Sequence, residues 1–176
     1  SREAKARSDA AADALTSLYN RAGLMDFLHN DPGREQRALT TLHVLGLDNF
    51  KSINETWGHA VGDALLVAIA RRLQERFPDA QCLSRLGGDE YAVVCARARG
   101  EEIRTILREP YVLMGRTISI SVSVGFAHRT VDVDSAAELM RRADLALHRA
   151  KASGKSRVMA FSGDFDREDE CGVSVT

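Results

Sequence analysis

Two rhythms of apolar residues run along this chain, and they predict most of its elements. Val61, Leu65, Ile69, Leu73 and Phe77 recur every four residues until Pro78 interrupts them, which predicts a helix with one buried face. Ile118, Ile120, Val122, Val124 and Phe126 alternate with Ser119, Ser121, Ser123 and Gly125, which predicts a half-buried strand. Residues 38–47 form a mostly apolar run suited to a buried strand. Two more such runs, 80–86 and 91–95, meet at Gly87-Gly88 and predict a hairpin. Ser135 with Glu138 is a capping-box pair that opens a helix running to about residue 151, with Gly154 closing it and a last strand over 157–161. Asp13 begins a new pattern, and shorter helices are expected over 21–29 and 100–108. Asn30-Asp31-Pro32-Gly33 is a turn, and the stretch between the first strand and the helix at Val61 is a loop.

Stripped of additions, the order is strand, helix, strand, strand, helix, strand. That is the ferredoxin-like α+β core, βαββαβ, with an antiparallel-containing central sheet flanked by helices, expected here on one face. Residues 1–12, rich in Ala, Arg and Glu, are a helical lead-in too short to bury a face, and are expected to connect to an upstream region. The domain proper is expected over 13–161, with a loose acidic tail over 162–176.

Composition acts mainly by exclusion. With 176 residues, 44% hydrophobic and 28% charged, the chain reads as one soluble globular domain. A net charge of −1 provides no basic field for a nucleic-acid polymer. No apolar run reaches membrane-spanning length, and the Ser1-Arg2-Glu3 start is unlike a signal peptide, so a cytoplasmic location without membrane contact is expected. Cys82, Cys95 and Cys171 lack metal-ligand spacing. Cys82 and Cys95 flank the glycine turn and are expected to face each other across the hairpin as buried, reduced thiols.

Candidate chemistry concentrates at Gly87-Gly88-Asp89-Glu90-Tyr91. Adjacent glycines leave backbone room for a ligand, and two acids directly after them suit a magnesium ion bridged to phosphate. Alone, the segment reads as a tight turn with solvated acids, because Gly-Gly-Asp turns are common.

The surrounding motifs decide between these readings. Asp13-Ala14-Leu15-Thr16-Ser17-Leu18-Tyr19-Asn20-Arg21, Phe50-Lys51-Ser52-Ile53-Asn54, Gly58-His59-Ala60-Val61-Gly62-Asp63, the glycine hairpin and Ala150-Lys151-Ala152-Ser153-Gly154 follow one another in order. Over residues 13–161 the chain resembles the GGDEF family, the diguanylate cyclases of bacterial cyclic di-GMP signalling, with Tyr91 where the signature has Phe. The resemblance implies a nucleotidyl-cyclase or palm-like fold. It also implies a reaction in which two GTP, held by a homodimer, become cyclic di-GMP and two pyrophosphates with the help of Mg2+ or Mn2+. It assigns Asp89 and Glu90 to metal binding and catalysis, with the backbone carbonyl of Leu47 as a further metal ligand. Asn54 and Asp63 would read guanine, whose N1–H and amine a carboxylate can accept together. Gly87 and Gly88 would admit the phosphates, and Lys51, Lys151 and Lys155 would supply charge to them. Asp63 also suits a helix N-terminus as an acid favoured by the dipole, and the two readings are compatible. Lys155 taken singly reads as a surface charge, Lys51 is the better phosphate candidate, and His59, which has no clustered partner, reads as a structural residue.

Two positions depart from the family pattern. Gly46 stands where the family has the Asp shared by both metal ions, and Asp48 two residues on cannot take its place without movement of the loop. Pro78-Asp79-Ala80-Gln81 stands where an R-x-x-D product-binding motif would lie, so inhibition by cyclic di-GMP through that motif is not expected. Two functions therefore remain open. One is a cyclase weakened by Gly46. The other is a catalytically inactive, GTP-responsive regulatory or dimerisation module attached to an upstream sensor domain.

Overall fold

The structure, a computed structural model, describes residues 2–30 and 40–165. The elements in chain order are α1 (Arg2–Ala10), α2 (Arg21–His29), β1 (Thr41–Leu47), α3 (Phe50–Trp57), α4 (His59–Arg76), β2 (Cys82–Gly87), β3 (Glu90–Cys95), α5 (Gly100–Leu107), β4 (Tyr111–Leu113), β5 (Arg116–Ile118), β6 (Val122–His128), α6 (Ala136–Ala152) and β7 (Val158–Ala160). Five strands form the central sheet in the order β2-β3-β1-β6-β7, antiparallel except for the β6–β7 pair, and β4–β5 is a separate hairpin. The first four strands have the ferredoxin-like order, so the predicted core is present.

Helices cover both faces of the sheet, not one. Leu45, Leu47, Tyr91, Val93, Val122 and Val124 pack against Leu65, Ile69 and Leu73 of α4 and Ile103 and Leu107 of α5. On the other face, Leu42, Val44, Ala92, Val94 and Ala127 pack against Leu24 and Leu28 of α2 and Leu139, Met140, Ala143 and Leu147 of α6. The middle strand β1 is consequently buried along its whole length. The same arrangement corrects the half-buried strand expected over 118–126. From Val122 to Gly125 every residue is buried: α6 lies directly on Gly125, and the Ser123 hydroxyl is buried against the Asp48 carboxylate.

The hairpin register corrects the cysteine pairing. Cys82 lies opposite Val94, because the register shifts between Arg85 and Gly87. Cys82 joins the core on the α6 side and Cys95 that on the α4 side, so the two thiols lie on opposite faces of the sheet. Both are free and buried, and burial pushes the Cys82 thiol up to about 11.

The expected loop after β1 contains a helix. Asn49 takes a left-handed conformation, φ 60°, to open α3, and Gly58 at φ 88° turns the chain into α4. The helix boundaries elsewhere lie close to expectation, with α2 beginning on an Asn20 cap and α6 on a Ser135 hydroxyl that accepts the Glu138 N–H. The single strand expected over 118–126 is instead divided between β5, which ends at Ile118 in the separate hairpin, and β6, which begins at Val122 in the central sheet. Cys171, residues 31–33 of the expected turn, the first two residues of the run at 38–47 and most of the acidic tail lie outside the described residues. Among the described residues, no helix is long and apolar enough to cross a membrane.

Candidate functional site

The hairpin between β2 and β3 turns through Gly88 and Asp89. Gly87 at φ 131° and Gly88 at φ 51° hold backbone conformations that residues with a Cβ rarely adopt, and a Cβ on either would meet nothing within 4 Å. The turn is therefore open on its outer side. Its inner side is tied twice. Arg85 donates to the Gly88 carbonyl from Nε and Nη2, at 3.3 and 2.8 Å, and the Leu47 N–H donates to the Asp89 carbonyl at 3.1 Å. Asp89 and Glu90 are half-exposed, and their carboxylates make no hydrogen bond or ion pair with the described residues. Tyr91 turns into the core, where its hydroxyl donates to the Leu66 carbonyl at 2.7 Å.

The end of β1 adjoins this turn, with Gly46 paired to Glu90 on one side and to Ser123 on the other. A Cβ built on Gly46 would lie 2.5 Å from Lys151 Nζ and 2.7 Å from its Cε. The lysine ammonium thus occupies the room a side chain at position 46 would need. Asp48 is 4% exposed and fully engaged. It accepts from the Ser121 and Ser123 hydroxyls, each at 2.7 Å, and from the Ser156 N–H at 3.0 Å. These bonds pin the left-handed run Gly154-Lys155-Ser156 to the sheet, and Lys155 Nζ donates to Asn49 Oδ1 at 3.1 Å.

The remaining candidates lie on α3 and α4. Asn54 packs over Gly62, whose added Cβ would lie 1.8 Å from Asn54 Oδ1, so the glycine is what allows the two helices to meet there. Asp63 follows Gly62 and is exposed. Lys51 is 89% exposed and pairs with Glu55 at 3.7 Å, which makes it a solvated surface charge in this conformation. His59, the first residue of α4, is exposed.

The structure thus brings Gly46, Leu47, Gly87, Gly88, Asp89, Glu90 and Lys151 to one edge, with Lys155 tied to the opening of α3, and sets Lys51 apart in solvent. Sequence reasoning missed Ser121, Ser123 and Ser156 as partners of Asp48; the serines on alternate positions were the available signal. It also missed Asp144 on α6. Burial pushes its carboxyl above the ordinary range, the charge of Glu90 adds to the effect, and Arg21 opposes it. A cavity of about 420 Å3, lined by Ala12, Tyr19, Gln74, Gln81 and Cys82 among others, includes none of the candidate site residues.

The donor set falls short of what two divalent ions need. Asp89 and Glu90 suit one divalent ion whose other ligands are phosphate oxygens. Gly46 has no side-chain oxygen, Asp48 is committed elsewhere, and no group of three metal-ligating side chains exists among the described residues. The residues do not fit a two-ion cage.

Comparison with known proteins matches these features. The family described as "Diguanylate cyclase, GGDEF domain" covers residues 10–157. The probable diguanylate cyclase DgcC of Escherichia coli is 34% identical over 154 residues, covering 82% of this chain and 42% of that protein. The cyclic di-GMP phosphodiesterase NbdA of Pseudomonas aeruginosa is 32% identical over 168 residues, covering 90% of this chain and 22% of that protein. The chain thus spans less than half the length of these relatives. Among solved structures, the isolated GGDEF domain of TpbB (YfiN) from Pseudomonas aeruginosa has a TM-score of 0.77 at 30% identity, covering 90% of this chain and 99% of that one. The GGDEF domain of DgcB from Caulobacter crescentus, solved with c-di-GMP, has a TM-score of 0.72 at 32% identity, covering 86% and 93%. On its fold, its hairpin and these matches, the chain belongs to the GGDEF domain family of diguanylate cyclases.

Proposed function

We propose that the edge formed by the glycine hairpin and the end of β1 binds GTP, and that the reaction is the family's: two GTP to cyclic di-GMP and two pyrophosphates, at a rate lowered by Gly46. The observation that carries this reading is the Leu47–Asp89 backbone bond, which with the Gly46–Glu90 pairing sets two carboxylates lacking hydrogen-bond and ion-pair partners among the described residues at the end of β1, where the Lys151 side chain lies over Gly46. In this reading each 3′-oxygen bonds to the α-phosphorus of the other GTP, the bond to the pyrophosphate oxygen breaks, and Asp89 accepts the hydroxyl proton. Gly87 and Gly88 admit the triphosphate, Lys151 and Lys155 oppose its charge, and Asn54 with Asp63 accepts guanine's N–H groups. A Mg2+ or Mn2+ ion held by Asp89 and Glu90 would supply Lewis-acid charge to the phosphate oxygens. Two facing copies are required, since each GTP supplies one nucleophile.

A second reading, a GTP-responsive module without turnover, is favoured by the misfit of the donor set to two ions. Incubation of the chain with GTP and Mg2+ or Mn2+, followed by chromatography, separates the two. Cyclic di-GMP accumulating over many turnovers is the expected result. Binding of GTP without product would transfer the assignment to the second reading, and absence of GTP binding would remove both.

A further inference from the structure

Three consecutive residues where β1 ends join three parts of the edge. The Leu47 N–H holds the Asp89 carbonyl of the hairpin, the Asp48 carboxylate holds the Ser156 N–H beyond α6, and the Asn49 side-chain oxygen receives the Lys155 ammonium. Asp48 is fixed in turn from the segment before β6, since its N–H donates to the Ser121 carbonyl at 2.9 Å. The Ser123 hydroxyl donates to Asp48 and accepts the same Ser156 N–H at 3.1 Å. The turn held in this way is one the chain would not adopt unaided. Gly154, Lys155 and Ser156 have φ of 119°, 61° and 47°, and only the first lacks the Cβ that disfavours this region. Adjacent left-handed residues other than glycine persist where their surroundings hold them. The holder here is a buried carboxylate, an acceptor-only group that takes two hydroxyls and a backbone N–H together. Lys155 is exposed, and apart from the Asn49 bond its ammonium makes no hydrogen bond or ion pair with the described residues.

Resting on the GTP-binding reading, we propose that Asp48 is a positioning residue for the nucleotide: it holds the turn after α6 in its left-handed form and so fixes where Lys155 presents its charge relative to the hairpin acids. Asp48 touches neither phosphate nor metal in this scheme and acts through Lys155. The sign of its effect separates this role from simple electrostatics. A carboxylate near a triphosphate repels it, so removing the charge alone would tighten binding. Removing the holder of the turn lets Lys155 leave its place and weakens binding.

The test titrates the intact chain, in Mg2+ and with calorimetric detection, with GTP carrying a methylene bridge between its α and β phosphorus atoms, which cannot release pyrophosphate. Lys155→Met should weaken binding by roughly 10–100-fold, the worth of a charge-assisted contact. Asp48→Ala should weaken it by a similar factor, and the double variant no further, because the ammonium is already displaced. Asp48→Asn should stay within about threefold of the unaltered chain, since its amide oxygen can accept from Ser121 and Ser156 while its amine donates to the Ser123 hydroxyl. A role confined to stability would lower Tm and leave the two losses additive. If Asp48→Ala does not fold, Ser123→Ala, which removes one donor to Asp48 and one acceptor of the Ser156 N–H, carries the same cycle with Lys155→Met at a smaller loss. Tighter or unchanged binding in Asp48→Ala, losses that add, an Asn variant as weak as the Ala variant, or no effect of Lys155→Met would overturn the inference and leave the GTP-binding reading intact. No binding of the analogue to the unaltered chain would overturn both.

Discussion

His43 shows how one residue on the buried central strand fixes its own chemistry. Its Nε2 accepts the Arg99 N–H at 2.9 Å, so the proton must sit on Nδ1, which donates to the Val93 carbonyl at 3.0 Å. A second proton would put a donor against a donor. Burial pulls its pKa from 6.5 down to about 4; the Val93 bond resists this, and the nearby charges of His128 and Arg99 add to it. The folded pKa lies below the unfolded one, so the contribution is fully present above about pH 6.5 and is lost as pH falls towards 4. Between pH 6.5 and 5 the loss amounts to about 2 kcal/mol, at 1.36 kcal/mol per unit. Urea denaturation at pH 7 and pH 5 should show that difference, and His43→Gln, which does not titrate, should flatten it. Equal stability of the unaltered chain at the two pH values would contradict the assignment.

Among the elements, the contact between β6 and α6 depends most on the absence of a side chain. A Cβ on Gly125 would lie 2.0 Å from the Leu147 backbone nitrogen and 2.6 Å from two further backbone atoms, whereas a Cβ on Gly46 would meet only the flexible end of Lys151. Gly125→Ala must therefore lift α6 from the sheet, at a cost of about 3 kcal/mol, while Gly46→Ala should be tolerated within about 1 kcal/mol. For a chain of 176 residues the first corresponds to a fall in Tm of roughly 6–12 °C, which calorimetry can measure. Similar melting of the two variants would show that the helix can move more easily than its packing implies. The contrast also marks what could be read in advance. The four-residue period of α4 and the Ser135 cap of α6 are local signals, and both elements lie where those signals placed them. The glycines at 46 and 125 look alike in sequence. Only the helix that lies over them distinguishes a packing glycine from one that seats an ammonium. α3 was hidden for another reason: it spans only eight residues, and the face it turns to the core, Phe50 and Ile53, is partly buried and offers one short i, i+3 pair as its signal.

At the scale of the whole molecule, one network ties the entry of the chain to the signature hairpin. Asp13 accepts from the Thr16 N–H and hydroxyl at 2.9 and 2.7 Å, closing the turn after α1, and receives Arg85 Nη1 at 2.9 Å. The same guanidinium holds the Gly88 carbonyl, so Asp13 and Gly88 share one cation, although Arg85 lies 72 positions beyond Asp13 in sequence. The backbone reinforces the link, since the Arg85 N–H and the Ser84 hydroxyl both donate to the Tyr19 carbonyl at 2.8 Å. Burial would raise the Asp13 carboxyl, but the bonds from Thr16 and Arg85 prevail and hold it below its ordinary value. Its contribution is therefore present above the usual aspartate range and lost as pH falls through that lowered value. Both side chains are largely buried, 13% exposed for Arg85 and 15% for Asp13, so removing one strands the other's charge. Asp13→Ala should cost about 3 kcal/mol, whereas Asp13→Ala with Arg85→Leu should cost less than the sum of the two single changes. If the network steadies the hairpin, amide exchange at Gly88, Asp89 and Glu90 should accelerate in Asp13→Ala under conditions where exchange in β1 and β6 is unchanged. Faster exchange throughout the sheet would instead mean that Asp13 supports the fold as a whole and has no particular hold on the hairpin.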